Sequence, residues 1–355
     1  EDVVVNGIFT RNKNTYTGSV TTIKGEDLLA VSNTNLFTAL AALTPGMVIV
    51  ENNAQGSNPN VIPEILIRGA NSIVTSAEEK ANNNPLIILD GAEITMEELY
   101  DLDMYEIERI DVLKDAQAAI VYGDRAANGV IVVERNRVDD KRVRLNYNFV
   151  PSFSIPDLSS LNLCNAEQKL ELERLAGLYN DEGGRYDESY RYKLNNVRRG
   201  VNTDWTRIPL RIPFSHTHSL SLSGGGQNVD YRASLKFSDT YGVMKGDNRR
   251  NYNMNFYVGY HVRNKLTIGY RANYTNTSSE ASPYGDFSTY TKMNPYEPIY
   301  DENGELIKKY YFYNSEDGPI TETGSINNPL YDATLSSFSK SENQTLRNTI
   351  DAKWY

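Results

Sequence analysis

The chain has few of the features that usually fix a fold or an active site. It contains one cysteine, Cys164, in 355 residues, so no intrachain disulfide can form. No apolar run reaches the roughly 18 residues of a membrane-spanning helix, and residues 1–20 lack a basic and then apolar secretion signal. A balance of 36 basic and 46 acidic residues gives a net charge of −10, which argues against a nucleic-acid partner.

Motifs for catalysis, cofactors or metals are also lacking. The segment GDRAANG at 123–129 has neither the Lys-Ser or Lys-Thr of a phosphate loop nor the glycine spacing of a dinucleotide turn. A soluble glycan-cleaving enzyme would need two opposed carboxylates, and the acids here form no isolated pair. His216 and His218 share a strand face and could hold a metal with His261, but no spacing supplies the further rigid ligands that zinc requires. We therefore interpret His216 and His218 as interfacial histidines near an outer rim. The sequence predicts no enzyme, no cofactor and no metal site.

Long segments of alternating polarity begin after residue 136. In 143–149 and 229–237 the odd-numbered residues are apolar, and in 252–262 and 266–274 the even-numbered ones are. These apolar faces are expected to face lipid, with Arg232 and Lys236 pointing away from it. Each segment is near the 9 to 11 residues, roughly, that a tilted strand needs to cross a bilayer. The alternating segments are 143–149, 216–223, 229–238, 252–262, 266–274 and 346–354.

The links between these segments alternate in length. Residues 224–228 and 263–265 are short links, whereas 151–215, 239–250 and 276–342 are predicted to be long ones. This asymmetry is typical of outer-membrane barrels, which have short periplasmic turns and long outer loops. A soluble sandwich also alternates in polarity but has no reason to sort its loops. About 135 preceding residues would fold to a diameter of roughly 35 to 40 Å, which only barrels of about 22 strands enclose, so we expect the barrel to continue beyond Tyr355 or to be completed by another chain.

The first 136 residues contain short, mixed elements. The stretch 107–133 predicts a strand, a short helix over 116–122 capped by Asp115, and a second strand, with Gly123 ending the helix and Asn128-Gly129 forming a turn. Asp90-Gly91 follows an apolar strand and is interpreted as a turn rather than a catalytic strand end. Farther along, 165–179 predicts a loop helix with an Asn165 cap. Its apolar residues, expected to pack on a barrel rim or a lid, are Leu172, Leu175, Ala176 and Tyr179.

Six stretches together resemble the SusC/RagA-like TonB-dependent transporters. They are EDVVVNG at 1–7, LTPGMVIV at 43–50, ILIRGAN at 65–71, PLIILDG at 85–91, IERIDVLKDAQAAIVYGDRAANGVIVV at 107–133 and NTDWTRIPLR at 202–211. The resemblance covers the whole chain, although the family's usual YGARAANG reads YGDRAANG here. It implies a membrane β-barrel, of 22 strands when complete and about six here, around an N-terminal α+β plug. The implied domains are 1–136, with TonB box and plug, and 137–355, the first part of the barrel.

The resemblance also implies a function. Members of this family lie in the bacterial outer membrane of Bacteroidota, where they import oligosaccharides or peptides. The implied partners are a SusD-like surface lipoprotein that forms a lid on the transporter, TonB with its ExbB/ExbD motor, and outer-membrane lipid. TonB-dependent active import is therefore expected. The alternative is an outer-membrane receptor or adhesin that binds or senses a ligand without transporting it.

Three groups of residues are candidates for this function. Val3, Val4 and Val5, after Asp2, are a β-prone run that can add to a partner's sheet edge; in the family this position is the TonB box, and the alternative is a first plug strand. Amides in the plug loops offer donors and acceptors to sugar hydroxyls or peptide groups alike. These amides are Asn52, Asn53, Gln55, Asn58, Asn82, Asn83 and Asn84. The structural motif of the plug comprises Arg68, Gly69, Asp90, Gly91, Gly123, Arg125, Asn128 and Gly129. Arg68 is either a plug-to-barrel ion pair, as the family implies, or a solvated charge.

Overall fold

The chain folds into an N-terminal α+β body and a sheet of long antiparallel strands that contacts it. The computed structural model describes residues 3–5, 10–12, 20–50, 58–67, 84–114, 122–138, 142–179, 185–263, 265–311 and 325–354. The body ends with a strand that finishes at Arg135, and the first long strand begins at Arg144. A domain boundary at residue 136 stays a prediction.

The body is built around a five-stranded sheet in the order β3-β8-β9-β6-β7. The strands described up to residue 135 are β1 (Val3–Val5), β2 (Thr10–Asn12), β3 (Val20–Lys24), β4 (Met47–Val50), β5 (Glu64–Ile67), β6 (Leu86–Leu89), β7 (Ala92–Ile94), β8 (Ile107–Leu113) and β9 (Val130–Arg135). The helices described there are α1 (Gly25–Val31), α2 (Leu36–Leu43) and α3 (Met96–Tyr100). Phe37 and Leu40 of α2 are fully buried in one core with Ile110 of β8, so the body has an apolar interior of its own.

The predicted turn at Asp90-Gly91 is confirmed. It joins β6 to β7 in an antiparallel hairpin with two residues in the loop. Both residues have positive φ, 50° at Asp90 and 87° at Gly91, as a type I′ turn requires. All four residues of β6 are buried, because β6 runs parallel to β9 in the middle of the sheet.

The predicted path of residues 107–133 is confirmed where the structure describes it. Strand β8, a 3-10 turn at Gly123–Ala126 and strand β9 follow one another. Gly123 and Gly129 have φ values of +70° and +92°. The predicted cap at Asp115 and most of the helix over 116–122 lie outside the described residues.

Replacing Gly129 by Val should reduce the amount of folded protein. A Cβ at this position would lie 3.0 Å from the Leu113 carbonyl oxygen and 3.1 Å from Ile67 Cδ1, and the positive φ adds backbone strain of about 1–3 kcal/mol. Gly123→Val is the matched control, since φ there is also positive but no atom lies within 4 Å of the added Cβ. The yield of assembled protein in the membrane measures both variants. Equal yields would show that close approach at Gly129 is incidental.

The second part of the chain is a six-stranded antiparallel sheet in the order β10-β11-β12-β13-β14-β17. Its strands are β10 (Arg144–Phe153), β11 (Phe214–Gly225), β12 (Val229–Tyr241), β13 (Asn248–Val262), β14 (Leu266–Glu280) and β17 (Lys340–Trp354). The links contain β15 (Lys309–Tyr311), β16 (Ser325–Asn327), α4 (Ala166–Leu175), α5 (Arg185–Arg198), α6 (Phe287–Thr291) and α7 (Pro329–Asp332). No helix in the part of the chain that the structure describes is long and apolar enough to cross a membrane.

The predicted assignment of the two sheet faces is confirmed. Tyr252, Met254 and Phe256 of β13 are exposed on the outward face, while Asn251 and Asn253 are buried on the face toward the body. The cross-strand register aligns these faces from β10 to β17. Lys236 of β12 donates to the carbonyl oxygens of Asp101 (2.9 Å) and Leu102 (3.2 Å), and Arg232 contacts the Asn136 carbonyl, so neither lies on the outward face.

One predicted loop length is wrong. The link predicted as 239–250 spans only residues 242–247, because β12 and β13 both extend beyond their apolar segments. Polar pairs such as Ser238 with Asn251 continue the strand pairing there. The links 154–213 and 281–339 are long and the links 226–228 and 263–265 are short, as predicted.

Candidate functional site: the interface between body and wall

A short acidic segment of the body faces the long strands. Residues 97–106, EELYDLDMYE, are called the acidic segment and carry Glu97, Glu98, Asp101, Asp103 and Glu106. Two local motifs shape it. Thr95 and Glu98 form a capping box at the start of α3, and the Asp103 carboxylate accepts from the Tyr105 backbone N–H at 3.1 Å. The segment therefore presents its carboxylates from a fixed backbone that continues into β8.

The strands present a polar surface to this segment. Cross-strand partners share a row, so the inward residues of β12, β13, β14 and β17 form a continuous polar wall. The polar wall consists of Lys236, Arg249, Asn251, Asn253, Asn255, Asn273, Thr275, Thr277, Asn343 and Arg347. The inward residues of these four strands are polar or glycine apart from Tyr257, so the wall meets the acidic segment through hydrogen bonds and ion pairs.

Asp101 is the best-satisfied carboxylate of the interface. Its Oδ2 accepts from Arg249 Nη2 at 2.7 Å, Asn251 Nδ2 at 3.0 Å and Thr277 Oγ1 at 3.2 Å. The same guanidinium donates to Glu97 Oε1 at 2.9 Å, and only 5% of Arg249 is exposed. Breaking a buried pair from one side is strongly destabilising, so this pair anchors the acidic segment to the wall.

A second ion pair holds the adjacent carboxylate. Arg347 of β17 binds Glu98 with both guanidinium nitrogens, each at 3.0 Å from one carboxylate oxygen. This forked geometry adds direction to the charge attraction. Asn343, two rows away on the same strand, donates to Glu97 Oε2 at 3.3 Å.

Glu106 lies at the end of the interface that is nearer the short links. Its carboxylate accepts from Asn255 Nδ2 at 3.3 Å, and burial raises its pKa, an effect that the nearby Arg135 opposes. Arg135 also donates to Asn273 Oδ1 at 3.1 Å and lies 3.5 Å from Asp90 Oδ2. The turn residue Asp90 also lies 4.0 Å from Arg271 Nε of β14, so it takes part in the contact between the body and the long strands.

This arrangement allows separation without unfolding of either part. The two apolar clusters of the body draw on residues between Val20 and Val133, and neither includes a residue of the wall. Hydrogen bonds exchanged for water change the free energy by only about 0.5–1.5 kcal/mol each. A body held by such bonds can leave the wall if force is applied.

The structure places the predicted site residues at different positions. Val3–Val5 pair with Thr10–Asn12 in a two-stranded sheet apart from the five-stranded one. Asn58 lies between the body and the ends of β12–β14, where it lines a 120 Å³ cavity with Met244 and Asp247. Asn84 precedes β6, Asn128 precedes Gly129 at the start of β9, and Arg125 lies in the 3-10 turn. The remaining residues, Asp2, Asn52, Asn53, Gln55, Arg68, Gly69, Asn82 and Asn83, lie outside the described residues. Roles for all of them stay predictions.

Sequence reasoning missed the acidic segment and the wall residues that bind it. The signal was present, since five acids in ten residues form the densest acidic run before β8. The residues that bind these acids occupy alternate positions of two strands, Arg249, Asn251 and Asn255 in β13 and Asn343 and Arg347 in β17. The sequence of each strand alone shows only that one of its faces is polar. The contact of that face with the body is seen only in the three-dimensional structure.

His216 and His218 lie, as predicted, on the outward face, at the end of the strands that carries the long links. The His218 ring lies 4.8 Å from the Phe149 ring and 6.2 Å from that of Phe237, within an aromatic belt across four strands. His261 faces inward, where it contacts Asp230 at 2.7 Å, so it does not meet the other two. Among the described residues, no three His, Cys, Asp or Glu side chains are placed to hold a metal ion.

The predicted packing of α4 on a barrel rim is wrong for Leu172, Leu175 and Ala176, which are exposed, and their packing on a lid stays a prediction. Leu172 and Leu175 are 54% and 69% exposed, and the helix instead buries Ala166, Leu170 and Glu173. This face is buried because Glu173 finds hydrogen-bond partners there. The Glu173 carboxylate accepts from Lys193 Nζ at 3.1 Å, Tyr296 Oη at 2.8 Å and the Tyr179 hydroxyl, so burying the charge is compensated.

Beside this cluster, Glu297 should make the outer loops sensitive to pH. Burial of its carboxyl, opposed by Lys193 and reinforced by Glu173, raises its pKa from 4.5 to about 7. Because this pKa is raised in the folded state, the protonated Glu297 carboxyl contributes folding stability that is full below about pH 4.5. That contribution is lost as the pH rises to about 7. Glu297→Gln should abolish this dependence.

Hydrogen exchange measures that effect. The Glu297 and Thr203 amides, which donate to the Asn294 and Pro295 carbonyls, should exchange faster in wild type than in the variant at pH 8, and equally at pH 4. Glu302→Gln is the control, because the Glu302 side chain is 80% exposed. Identical protection of wild type and Glu297→Gln at pH 8 would contradict the prediction.

Comparison with known proteins agrees with a division into the N-terminal body and the long strands that follow it. The family model for the TonB-dependent receptor plug domain matches residues 12–130. TonB-dependent receptor P26 of Formosa agariphila is 26% identical over 360 residues, which cover all of this chain and 33% of that protein. TonB-dependent receptor SusC of Bacteroides thetaiotaomicron is 31% identical over 260 residues, covering 71% of this chain and 24% of SusC. The chain thus spans a quarter to a third of the length of these relatives.

Solved structures show the same fold. The RagAB peptide importer in its open-open state superposes with a TM-score of 0.75 at 22% identity, covering 99% of this chain and 40% of the matched chain. The class defined by the fold is therefore a TonB-dependent barrel protein, present here as a plug and the first barrel strands. Within that class, the chain belongs to the SusC/RagA-like family of TonB-dependent transporters.

Proposed function

We propose that this chain is the plug and first wall of a transporter that imports oligosaccharides or peptides across the outer membrane, driven by TonB. The observation that carries the proposal is the polar interface between the acidic segment and the polar wall. A plug with its own apolar core, held by ion pairs such as Arg249 with Asp101, can be displaced as a unit. The partners in this proposal are TonB with its ExbB/ExbD motor and a SusD-like surface lipoprotein.

The start of the chain supplies a handle for the partner. Strand β1 belongs to a two-stranded sheet of its own, so its pairing can be exchanged for pairing with another chain. Addition of a strand to a sheet edge uses backbone hydrogen bonds and needs little side-chain surface. In this proposal TonB binds Val3–Val5 in that way.

The fold connects this handle to the interface. Strand β3, which follows β2 in the chain, lies at the edge of the five-stranded sheet, where its described partner is β8. Strand β8 begins at Ile107, directly after the acidic segment. The start of α1 packs tightly on the same point, since a Cβ on Gly25 would lie 1.9 Å from the Ile107 carbonyl oxygen. Tension on residues before Val20 is therefore transmitted to the carboxylates that hold the wall.

One neighbour supports the peptide class in this proposal, because a solved structure similar to this chain is named as a peptide importer. The oligosaccharide class rests on the family resemblance of the sequence. The experiment that tests the proposal compares wild type with a protein lacking residues 1–7, with uptake and surface binding measured on the same cells. A receptor or adhesin that only binds its ligand would show no uptake to lose.

A further inference from the structure

The polar wall has a surface chemistry of its own once the acidic segment is removed from it. Its central rows pair Asn251 with Thr277, Asn253 with Thr275 and Asn255 with Asn273. Amides and hydroxyls in this arrangement offer donors and acceptors about 5 Å apart across strands.

The central part of the wall carries cations but no acids. Lys236, Arg249 and Arg347 flank the amide rows. The plug supplies the carboxylates that neutralise Arg249 and Arg347, and backbone carbonyl oxygens that accept from Lys236. The inward acids of the wall itself, Asp230 and Asp351, lie toward the short-turn end, where they contact His261 and Arg271. Displacement of the acidic segment therefore uncovers cations whose partners have left.

We propose that the uncovered polar wall binds an anionic oligomer, whose carboxylates or sulfates take the places of Glu97, Glu98 and Asp101. The inference rests on the proposed function, since the Arg249, Asn251 and Asn253 side chains of the wall are buried until the plug moves. Arg347 already pairs with both carboxylate oxygens of Glu98, by one hydrogen bond from Nη2 and a 3.0 Å contact from Nη1, a geometry that suits a carboxylate or a sulfate of a passing chain. The amide rows then contact the hydroxyls or peptide groups between the charges. The acidic segment acts as a built-in competitor that keeps the wall closed to cargo at rest.

Thiol labelling at Thr275 tests this charge directly. Thr275 lies in the middle of the wall, on the inward face of β14. The full-length protein would carry Thr275→Cys together with Cys164→Ser, because the native cysteine is exposed. Labelling rates with an anionic and a cationic methanethiosulfonate are compared in energised cells, each normalised to the rate with free cysteine.

A matched control lies on the same strand and face. Thr267→Cys, also with Cys164→Ser, places the same thiol near the short-turn end, where Thr267 contacts His261 and His261 contacts Asp230. The expected result is an anionic preference of roughly tenfold at position 275 and none at position 267.

The outcomes separate the two proposals. Labelling at position 275 that requires residues 1–7 but shows no anionic preference overturns this inference and leaves energised import standing. Labelling that is the same without residues 1–7 overturns energised import. No labelling at position 275 under any condition means that the segment does not leave the wall, which overturns both.

Protection experiments identify the source of the anion. Oligoglutamate and oligogalacturonate should each be tested for slowing the labelling at position 275, beside oligoglutamine and a neutral oligosaccharide of equal length. Protection by one anionic oligomer and not by its neutral counterpart, by at least threefold, supports the inference and assigns peptide or glycan. Equal protection by charged and neutral oligomers overturns it.

Discussion

Deleting residues 1–7 is expected to abolish accumulation of labelled cargo in the periplasm, while surface binding stays at the wild-type level. The handle is lost, but the five-stranded sheet and the acidic segment lie beyond the deletion and keep their contacts. Uptake and binding of the same radiolabelled oligosaccharides and peptides, measured on the same cells, give the two numbers.

A point variant refines this prediction. Val4→Pro removes a backbone N–H and blocks strand pairing, so uptake should fall as in the deletion. Val4→Thr keeps the backbone donor and a β-branched side chain, and it should transport normally. Undiminished uptake by the deletion protein would refute energised import, and lost surface binding would show that the segment is structural.

Replacing Arg249 by Met is expected to loosen the plug. The substitution leaves the buried Asp101 carboxylate without its counter-ion, and breaking a buried pair from one side costs about 3–5 kcal/mol. The acidic segment should then exchange its amide hydrogens faster, and cells should become sensitive to a large antibiotic such as vancomycin that an intact outer membrane excludes.

Two controls show whether the pair itself is responsible. Arg250→Met changes the neighbouring residue, which is 44% exposed on the outward face and pairs with Asp239, and it should have little effect on the plug. Combining Arg249→Met with Asp101→Asn removes both charges and should restore part of the protection. Equal exchange in the Arg249→Met and Arg250→Met proteins would contradict the anchoring role of Arg249.

The sequence predicted those parts of the fold that depend on local pattern. Alternation in 252–262 identified the outward face of β13, and Asp90-Gly91 identified a hairpin turn, because strand period and turn chemistry are local. The lengths of β12 and β13 were underestimated because their ends are polar, and those ends are held by pairing with each other and by polar contacts with the body.

The interface was harder to predict because it depends on distant residues. Asp101 and Arg249 are 148 positions apart, and nothing in either segment alone specifies the other. The burial of Glu173 in α4 was missed for the same reason, since its partners Tyr296 and Lys193 come from other segments. Contacts between separately patterned elements require the three-dimensional arrangement.

A reversible link between plug and wall tests the central claim most directly. Glu98→Cys and Arg347→Cys, combined with Cys164→Ser, place two thiols on either side of the interface in place of a bidentate ion pair. A cleavable bismaleimide would join them in living cells, with the two single-cysteine proteins as controls. We predict that uptake stops when the link forms and returns when the link is cleaved, while surface binding stays constant. Uptake that continues unchanged through the linked protein would contradict movement of the plug from the wall.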